Sequence, residues 1–406
     1  MRILFVVPYV PSNIRSRSYE FVRSLTGLGA SVHLVALRPP EDDWAPEAPV
    51  RALCAHVDLF PLSRRRTLVN TLRAVPSTQP LQAAYSGHPE AQQHVRALVR
   101  GGSFDVLHIE HLRGVTLVRG ISDLPVVFDA VDSIAHLFSQ AARSAPRLPQ
   151  RLIARLDLRR TERFEARAPW LFNRTIVTSA VDRDAFVRHA GPDARRRLEV
   201  VPNGVSRRYF EEGPPRPEAA TVIFSGKMSY HANGAAALLL AREIMPRVWQ
   251  QRPDARLIIA GKDPSDRIKA LGADPRIEVT GYVEDLRPLL RRATVAAAPL
   301  VYGAGIQNKI LEAMASGIPV VASPAAAGGL TASAGSDFLV ADTPAGVADQ
   351  VLRVLGTPAL RESLAAAGYD YVCREHDWTA LTRRLIRAYE EACADYRSRT
   401  AAATSR

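Results

Sequence analysis

The chain has 406 residues, 47% of them hydrophobic and 23% charged, which is the composition of an ordinary globular protein. Its length exceeds what one hydrophobic core usually fills, so we expect two domains. The three cysteines show no metal spacing, and the apolar start is too short for a signal peptide. No run approaches the roughly 20 apolar residues that a membrane span needs, so we expect a cytoplasmic protein.

The formal net charge of +12 is concentrated in the first half, where residues 1–215 contain 30 arginines and 21 acidic residues. Nucleic acid explains this charge poorly, because aromatic residues are only 7% of the chain and neither a helix-turn-helix nor a zinc-finger pattern occurs. An anionic membrane surface at the inner face of the cell membrane, an acidic acceptor and a merely arginine-rich solvated surface remain open.

Short apolar segments alternate with helical patterns through the first half of the chain. Strands are predicted at 3–7, 31–36, 57–61, 105–109, 125–129, 175–179 and 198–201. Most are continuous apolar runs, which predicts a parallel sheet covered by helices on both faces. The arginine-rich segments 63–74 and 150–170 are each interpreted as an amphipathic helix, either on this sheet or on a membrane surface.

A proline-rich run, VPNGVSRRYFEEGPPRPEAA, interrupts this rhythm and predicts a linker at 206–217. A second series of strands is predicted at 221–225, 256–260, 277–280, 295–298, 318–322 and 338–340. The predicted fold class is α/β, with two tandem Rossmann-like domains at 1–205 and 218–375, a closing helix at 376–396 that packs towards the first domain, and a disordered tail at 397–406. Ligands of open parallel sheets bind beyond the carboxyl ends of the strands, so we expect the active site in the cleft between the domains.

One stretch at 299–323, PLVYGAGIQNKILEAMASGIPVVAS, has the pattern of an anion site. Gly303 and Gly305 let the backbone approach a ligand closely, and a helix beginning near Ile306 would direct unpaired N–H groups at it. Lys309 adds a positive charge one turn into that helix. Glu312 would repel phosphate but suits the paired hydroxyls of a ribose. The alternative for such a loop taken alone is a surface helix with a Lys-Glu pair.

Six segments in order carry a family resemblance: FDAVDS, VVPNGV, FSGKMSYHANGA, LIIAGKDP, VTGYVEDLRPLLRRATVAAAP and GAGIQNKILEAMASGIPVVAS. They resemble the retaining GT-B glycosyltransferases of group 1, and bacterial polysaccharide-type sugar transferases in particular, over nearly the whole chain. The resemblance implies transfer of a sugar from a nucleotide-sugar donor to a glycan, lipid-linked or small-molecule acceptor, with retained configuration. No metal or other cofactor is expected; UDP is the first candidate for the nucleotide, with GDP and dTDP as alternatives.

The resemblance also implies roles for particular residues of the second half. Glu312 would bind the ribose, the backbone of Gly281, Tyr282 and Val283 would frame the base, and Lys227 and Lys309 would stabilise the leaving diphosphate. The remaining donor-binding residues are Gly226, Gly303, Ala304, Gly305, Ile306, Gln307 and Asn308.

Two departures from the family pattern stand out. The basic residue expected shortly after Lys227 is missing, unless His231 substitutes for it. Ala304 occupies the position of the family's usual second glutamate, eight residues before Glu312, which leaves the sugar and the retention of configuration open.

Candidate acceptor residues lie in the first half. Asp129 and Asp132 close a predicted strand. Asp129 would accept or orient the acceptor hydroxyl, and Asp132 would contact the acceptor, with capping of the next helix by Asp132 or Ser133 as the alternative. His111, near the end of the preceding strand, and Arg15 and Arg17, on the loop after the first strand, are further candidates for binding the acceptor. A core or surface role for His108 and His111, and a solvated role for the two arginines, are the alternatives.

Two other functions fit the same residues. One is a different GT-B reaction on a nucleotide sugar, such as epimerisation, and the other is a non-catalytic partner that binds a nucleotide sugar. A Rossmann dehydrogenase does not fit, because neither domain's first strand leads into a Gly-x-Gly-x-x-Gly loop.

Overall fold

The computed structural model describes residues 1–12, 15–40, 46–144, 148–211, 217–218 and 220–404. The chain divides into two compact units. The first comprises Met1–Ser139, Leu152–Pro202 and Trp378–Arg406, and the second comprises Gln140–Arg151 and Asn203–Asp377.

Each unit contains one sheet. The strands are β1 Arg2–Val7, β2 Ser31–Arg38, β3 His56–Pro61, β4 Val106–Glu110, β5 Val126–Val131, β6 Arg174–Val177, β7 Leu198–Val200, β8 Thr221–Ser225, β9 Arg256–Ala260, β10 Ile277–Gly281, β11 Val295–Ala298, β12 Val320–Ala322 and β13 Leu339–Val340.

The helices cover both faces of these sheets. They are α1 Ser16–Gly27, α2 Ala48–Leu53, α3 Arg64–Ala74, α4 Leu81–Tyr85, α5 Pro89–Arg100, α6 His111–Gly114, α7 Ile134–Ser144, α8 Leu148–Leu171, α9 Ala180–Ala190, α10 His231–Leu239, α11 Met245–Gln251, α12 Asp266–Lys269, α13 Arg287–Arg292, α14 Asn308–Ala315, α15 Pro324–Ala327, α16 Pro344–Gly356, α17 Pro358–Glu375 and α18 Trp378–Thr404.

The first sheet has seven strands in the order β3-β2-β1-β4-β5-β6-β7, and the second has six in the order β10-β9-β8-β11-β12-β13. Neighbouring strands in both sheets are parallel. The order reverses between β1 and β4 in the first sheet and between β8 and β11 in the second. These switch points are where ligands of doubly wound sheets bind. The predicted α/β class with two Rossmann-like domains is therefore confirmed.

The last helix, α18, belongs to the first unit. Its apolar residues recur every three or four positions and are buried in the same core cluster as β1, β2 and α1; they are Trp378, Leu381, Leu385, Ala388, Tyr389 and Ala392. This spacing gives the helix one continuous apolar stripe.

Three details differ from the sequence predictions. The helix expected near Ile306 begins at Asn308, because Gly305 is left-handed with φ 64° and Gln307 has an extended N-cap conformation. The tail predicted to be disordered is helical as far as Thr404, and residues 405–406 lie outside the described residues. Within the predicted linker, Arg207–Tyr209 forms a short 3-10 helix, whereas residues 212–216 also lie outside the described part of the chain.

Candidate active site

Three loops that contain the predicted donor-binding residues meet at the carboxyl edge of the second sheet. Gly226 directly follows β8, Gly281 ends β10, and the loop at 303–308 leads from β11 towards α14. Because β8 and β11 are adjacent at the switch point, segments far apart in sequence are brought to one edge.

Close glycine contacts hold these loops together. A Cβ atom on Gly261 would stand 1.9 Å from the carbonyl oxygen of Gly226, and both residues have a positive φ. A Cβ atom on Gly329 would likewise stand 2.1 Å from the carbonyl oxygen of Gly305. Only glycine fits at Gly261 and Gly329, since an added methyl group would collide with backbone. Sequence analysis did not identify either residue, although Gly261 directly follows the apolar strand β9 and Gly329 belongs to a pair of glycines after α15.

Lys309 lies in the first turn of α14 and is half-buried. Its Nζ donates a hydrogen bond to Asn233 Oδ1 at 2.8 Å and lies 5.3 Å from the centroid of the Phe224 ring. Burial lowers the pKa of Lys309 to about 8, against the charge of Glu312, which raises it. Among the described residues, the Gln307 side chain makes no capping hydrogen bond to α14. A positive charge and a helix N-terminus therefore occur together here, as an anion site requires.

Glu312 lies one turn further along α14, and its carboxyl group is within hydrogen-bonding reach of the Tyr209 hydroxyl. Burial raises the pKa of Glu312, while the charges of Lys309 and Arg208 and the hydrogen bond with Tyr209 lower it. Tyr209 and Arg208 belong to the segment predicted as a linker, where nothing in the local sequence pattern indicated a role at the site.

The two other candidate cations have different surroundings. Lys227 Nζ lies 4.0 Å from Asp263 Oδ2, and both side chains are substantially exposed. His231 shares a hydrogen bond with the Tyr302 hydroxyl and stacks on that ring, with 5.2 Å between the centroids. Burial lowers the pKa of His231, which disfavours the positive charge that a replacement for the missing second cation would need.

The segment predicted to frame a base begins at Gly281, which has a φ of 68°. The Gly281 carbonyl oxygen accepts a hydrogen bond from the Gly261 N–H at 3.1 Å, which ties the loop after β10 to the loop after β9. Tyr282 is 58% exposed and Val283 is half-buried, so both lie at the surface of the unit.

In the first unit, two predictions need correction. Arg17 was predicted to bind the acceptor from the loop after the first strand, with a solvated role as the alternative, but it lies in α1 and is only 5% exposed. Its Nε and Nη2 atoms both lie 2.8 Å from Asp129 Oδ2, and Nη1 donates to the Pro202 carbonyl oxygen at 3.2 Å. Asp129 has no exposed surface and also accepts a hydrogen bond from the Val131 N–H. This buried ion pair leaves neither side chain available to an acceptor.

Next to this pair lies a further buried carboxyl group that the sequence analysis missed. Glu110 pairs with Asp129 across β4 and β5, has no exposed surface, and accepts a hydrogen bond from the Tyr9 hydroxyl. His108 stacks on Phe5 at 4.1 Å, and its Nδ1 lies 2.9 Å from the buried Tyr389 hydroxyl, so it has the core role considered as the alternative.

The side chains of His108, Glu110 and Asp129 offer ligand atoms within 4.8 Å of one another. The guanidinium of Arg17 already neutralises Asp129. A cation placed among these three residues would be repelled by that charge.

The remaining acceptor candidates lie at the carboxyl edge of the first sheet. His111, which follows β4, and Val131, which ends β5, both have a left-handed backbone, with φ of 64° and 66°. Such strain in non-glycine residues is concentrated at functional sites. Burial lowers the pKa of His111 to about 3, and its Nδ1 accepts a hydrogen bond from the Arg113 N–H, so the ring is neutral. Asp132 accepts a hydrogen bond from Thr178 Oγ1 at 3.1 Å.

Two further details concern the predicted acceptor and capping roles. Arg15 places its guanidinium over the Tyr9 ring, 4.7 Å from the centroid. Ser133, rather than Asp132, caps α7, because its Oγ accepts a hydrogen bond from the His136 N–H at 3.0 Å.

Two units, each with a doubly wound parallel sheet, define a class of α/β proteins, and solved structures narrow this class. Sucrose-phosphate synthase from Thermosynechococcus elongatus has a TM-score of 0.70 with 18% identity, covering 97% of this chain and 100% of that one. Anabaena HepE in complex with UDP and glucose has a TM-score of 0.66 with 14% identity, covering 96% of this chain and 99% of that one. The fold is GT-B.

The family model described as glycosyl transferases group 1 matches residues 219–357. The phosphatidyl-myo-inositol mannosyltransferase of Mycobacterium tuberculosis strain H37Rv is 27% identical, with 96% of this chain and 97% of the relative covered. The MMP alpha-(1->4)-mannosyltransferase of Mycolicibacterium hassiacum is 30% identical over 48% of this chain and 49% of the relative. The chain is thus a GT-B glycosyltransferase whose second unit contains the group 1 domain, which favours this function over epimerisation or binding alone.

Proposed function

We propose that the chain transfers a sugar from a nucleotide-sugar donor to an acceptor hydroxyl, without a metal ion and with retention of the anomeric configuration. The observation that carries this proposal is the meeting of Lys309, Glu312 and the start of α14 beside close-packed glycine loops at the switch point of the second sheet.

The chemistry requires stabilisation of a diphosphate that gains negative charge as it leaves. The ammonium group of Lys309 is held by a hydrogen bond to Asn233, and the N–H groups at the start of α14 have fixed directions. Such preorganised groups stabilise developing charge without reorganising during the reaction. Glu312 would accept hydrogen bonds from the ribose hydroxyls, and Tyr209 would hold its carboxylate in place.

The names of related proteins suggest which donors to test. Relatives named as mannosyltransferases make a mannosyl group the first sugar to test, and a structural neighbour was solved with UDP and glucose. A thermal-shift panel of UDP, GDP and dTDP sugars distinguishes the nucleotides, because a ligand at 100 times its dissociation constant adds about 2.7 kcal/mol to the free energy of unfolding. NMR of the product then gives its anomeric configuration. Absence of any shift across the panel would contradict the donor site.

The first prediction concerns the two charged residues of α14. Lys309→Ala is expected to lower kcat by about 10²–10³-fold, because one preorganised donor is lost from the leaving group. Glu312→Ala is expected to raise KM for the donor, since ribose contacts are made in both the ground and transition states. Steady-state transfer assays measure both effects.

Lys269→Ala is the matched control, because Lys269 lies on α12, is 62% exposed and pairs with Asp266. Its rate should equal that of the wild type. Near-normal turnover in both α14 variants would refute the assignment of the site.

We further propose that the acceptor is lipid-linked and that the first unit docks on an anionic membrane surface. Leu68 and Leu72 of helix α3 and Val75, which follows its last residue, are 60%, 61% and 52% exposed, at positions that share one helical face. By helical spacing, Arg64 and Arg65 of the same helix flank this face. Apolar side chains flanked by arginines match the interface of an anionic bilayer.

Helix α8 extends the same surface. Arg160 of α8 donates hydrogen bonds to the carbonyl oxygens of Val75 and Ser77 near the end of α3, and also to that of the exposed Leu156. An adjoining cavity of about 500 Å³ includes Phe164 and Phe172 among its lining residues, together with the arginines Arg119, Arg160, Arg163 and Arg167. In the described residues, no helix is long and apolar enough to span a membrane.

A further inference from the structure

A second group of functional side chains lies at the edge of the first sheet, where β2, β3 and α5 meet. His33 of β2 and His94 of α5 each place Nε2 at 2.7 Å from the same carboxylate oxygen of Asp58, on β3. The three ligand atoms lie within 4.8 Å of one another. Burial opposes ionisation of Asp58, but the hydrogen bonds from the two histidines outweigh it and lower the pKa of Asp58.

We propose that His33, Asp58 and His94 form a binding site for a divalent first-row transition metal ion, with Zn²⁺ as the reference ion. Two imidazole nitrogens and one carboxylate are a ligand set that Zn²⁺ accepts, and imidazole also suits Co²⁺, Ni²⁺ and Cu²⁺. The fourth position would be taken by water, since His33, Asp58 and His94 have side chains that are 13%, 35% and 36% exposed.

The spacing of the ligand atoms requires only a small adjustment. Metal–ligand bonds of about 2.0–2.1 Å in tetrahedral geometry place neighbouring ligand atoms about 3.3 Å apart. The observed 2.7 Å separations must therefore open by about 0.6 Å, which side-chain rotation supplies. The second oxygen of Asp58 accepts no hydrogen bond from any described residue, so the carboxylate keeps lone pairs for a metal.

Neighbouring rings restrict the two histidines. Phe60 lies against the His94 ring with 5.4 Å between the centroids, and Phe104 meets the His33 ring edge-on at 5.7 Å. Rings that are already oriented lose less conformational entropy when they bind an ion.

The position of the site indicates what the ion would do. His33 and Asp58 are the third residues of their strands, nearer the amino ends than the carboxyl edge where the candidate active site residues lie. Strand β3 is the edge strand of the first sheet and pairs with β2 alone. A bound ion would cross-link β2, β3 and α5, so it would stabilise the first unit and take no part in sugar transfer.

The test uses full-length protein without an affinity tag, freed of metal with a chelator and titrated with ZnCl₂ by calorimetry. We expect one ion per chain and a higher melting temperature. Co²⁺ should give the visible absorption bands of a low-coordinate complex. Asp58→Asn and His94→Ala should each weaken Zn²⁺ binding by at least about tenfold, because loss of an outer-shell partner alone costs that much.

His189→Ala, which removes a half-buried histidine on α9, is the control and should bind Zn²⁺ as the wild type does. His94→Ala truncates a side chain at the surface, so retention of its circular dichroism spectrum shows that the fold is kept. Absence of Zn²⁺ binding by the wild type, or the same isotherm in all four proteins, would overturn the proposal and leave only a hydrogen-bonded cluster.

Discussion

Glu110 and Asp129 occupy paired positions on β4 and β5, so the first unit buries two carboxyl groups next to the guanidinium of Arg17. Burial, together with the charge of Asp129, raises the pKa of Glu110 to about 7, against the hydrogen bond from Tyr9 and the charges of Arg17 and Arg15, which lower it. Asp132 and Glu165 are shifted in the same direction, to about 7 and about 8, also mainly by burial. The unit therefore holds protons that the unfolded chain releases at lower pH.

The sign of the pH dependence follows from these shifts. A carboxyl group whose folded pKa is raised contributes stability below its ordinary pKa of about 4.5, and that contribution is lost as pH rises through about 7. Glu110→Gln removes this penalty, since an amide carries no charge and its oxygen still accepts from Tyr9. The change in the free energy of unfolding that Glu110→Gln causes should therefore be more favourable at pH 8 than at pH 5. Urea unfolding of the variant and the wild type at both pH values measures it.

Asp193→Asn removes a carboxylate that is 79% exposed and serves as the control. Its effect on the free energy of unfolding should be small and nearly the same at the two pH values. If Glu110→Gln lost stability equally at pH 5 and pH 8, Glu110 would not be the group that titrates.

Residue positions were predictable where the sequence pattern lies within a few positions of the chain. Lys309 and Glu312 share one helix, so their spacing alone placed them on neighbouring turns. Arg17 and Asp129 are far apart in sequence, and no local pattern indicates that they form a buried ion pair. The corrected acceptor roles of Arg17 and Asp129 both arise from this long-range contact.

At the scale of elements, α18 shows how a terminal helix completes a core formed earlier in the chain. Trp378 is 3% exposed and meets Phe21 of α1 edge-on, with 5.0 Å between the ring centroids. Further along α18, Glu391 and Asp395 form ion pairs with Arg174 of β6.

Trp378→Ala should lower the free energy of unfolding by about 3–5 kcal/mol, because it leaves a cavity between α18 and α1. Trp170→Ala, at a position that is 44% exposed, should lower it by less than about 1 kcal/mol. Calorimetry of both variants measures the difference. Equal losses would show that α18 adds no more to the core than a surface side chain does.

At the scale of the whole molecule, the uneven net charge and the exposed leucines of α3 lead to a prediction about membranes. The protein should sediment with vesicles of anionic phospholipid at low salt and be largely released at about 1 M salt, where the Debye length is about 3 Å. Leu72→Asp should weaken this binding several-fold, because it removes an apolar contact and adds a repelled charge.

Val181→Asp is the control, because Val181 is 40% exposed in the first unit but lies on α9. It should sediment as the wild type does. Equal binding to neutral and anionic vesicles, or no binding at low salt, would refute docking on an anionic surface.

The sequence by itself determined the two parallel sheets and the placement of Lys309 and Glu312 on one helix, because apolar runs, glycine loops and helix spacing are local signals. The GT-B class came from the resemblance of six ordered segments to a known family. Only the tertiary structure decided that Arg17 and Asp129 are a buried ion pair, that Tyr209 contacts Glu312, and that the glycines Gly261 and Gly329 are each packed against another loop. It also brought His33, Asp58 and His94 together. Each of these contacts joins separate elements, and the order of strands in a sheet decides which elements become neighbours.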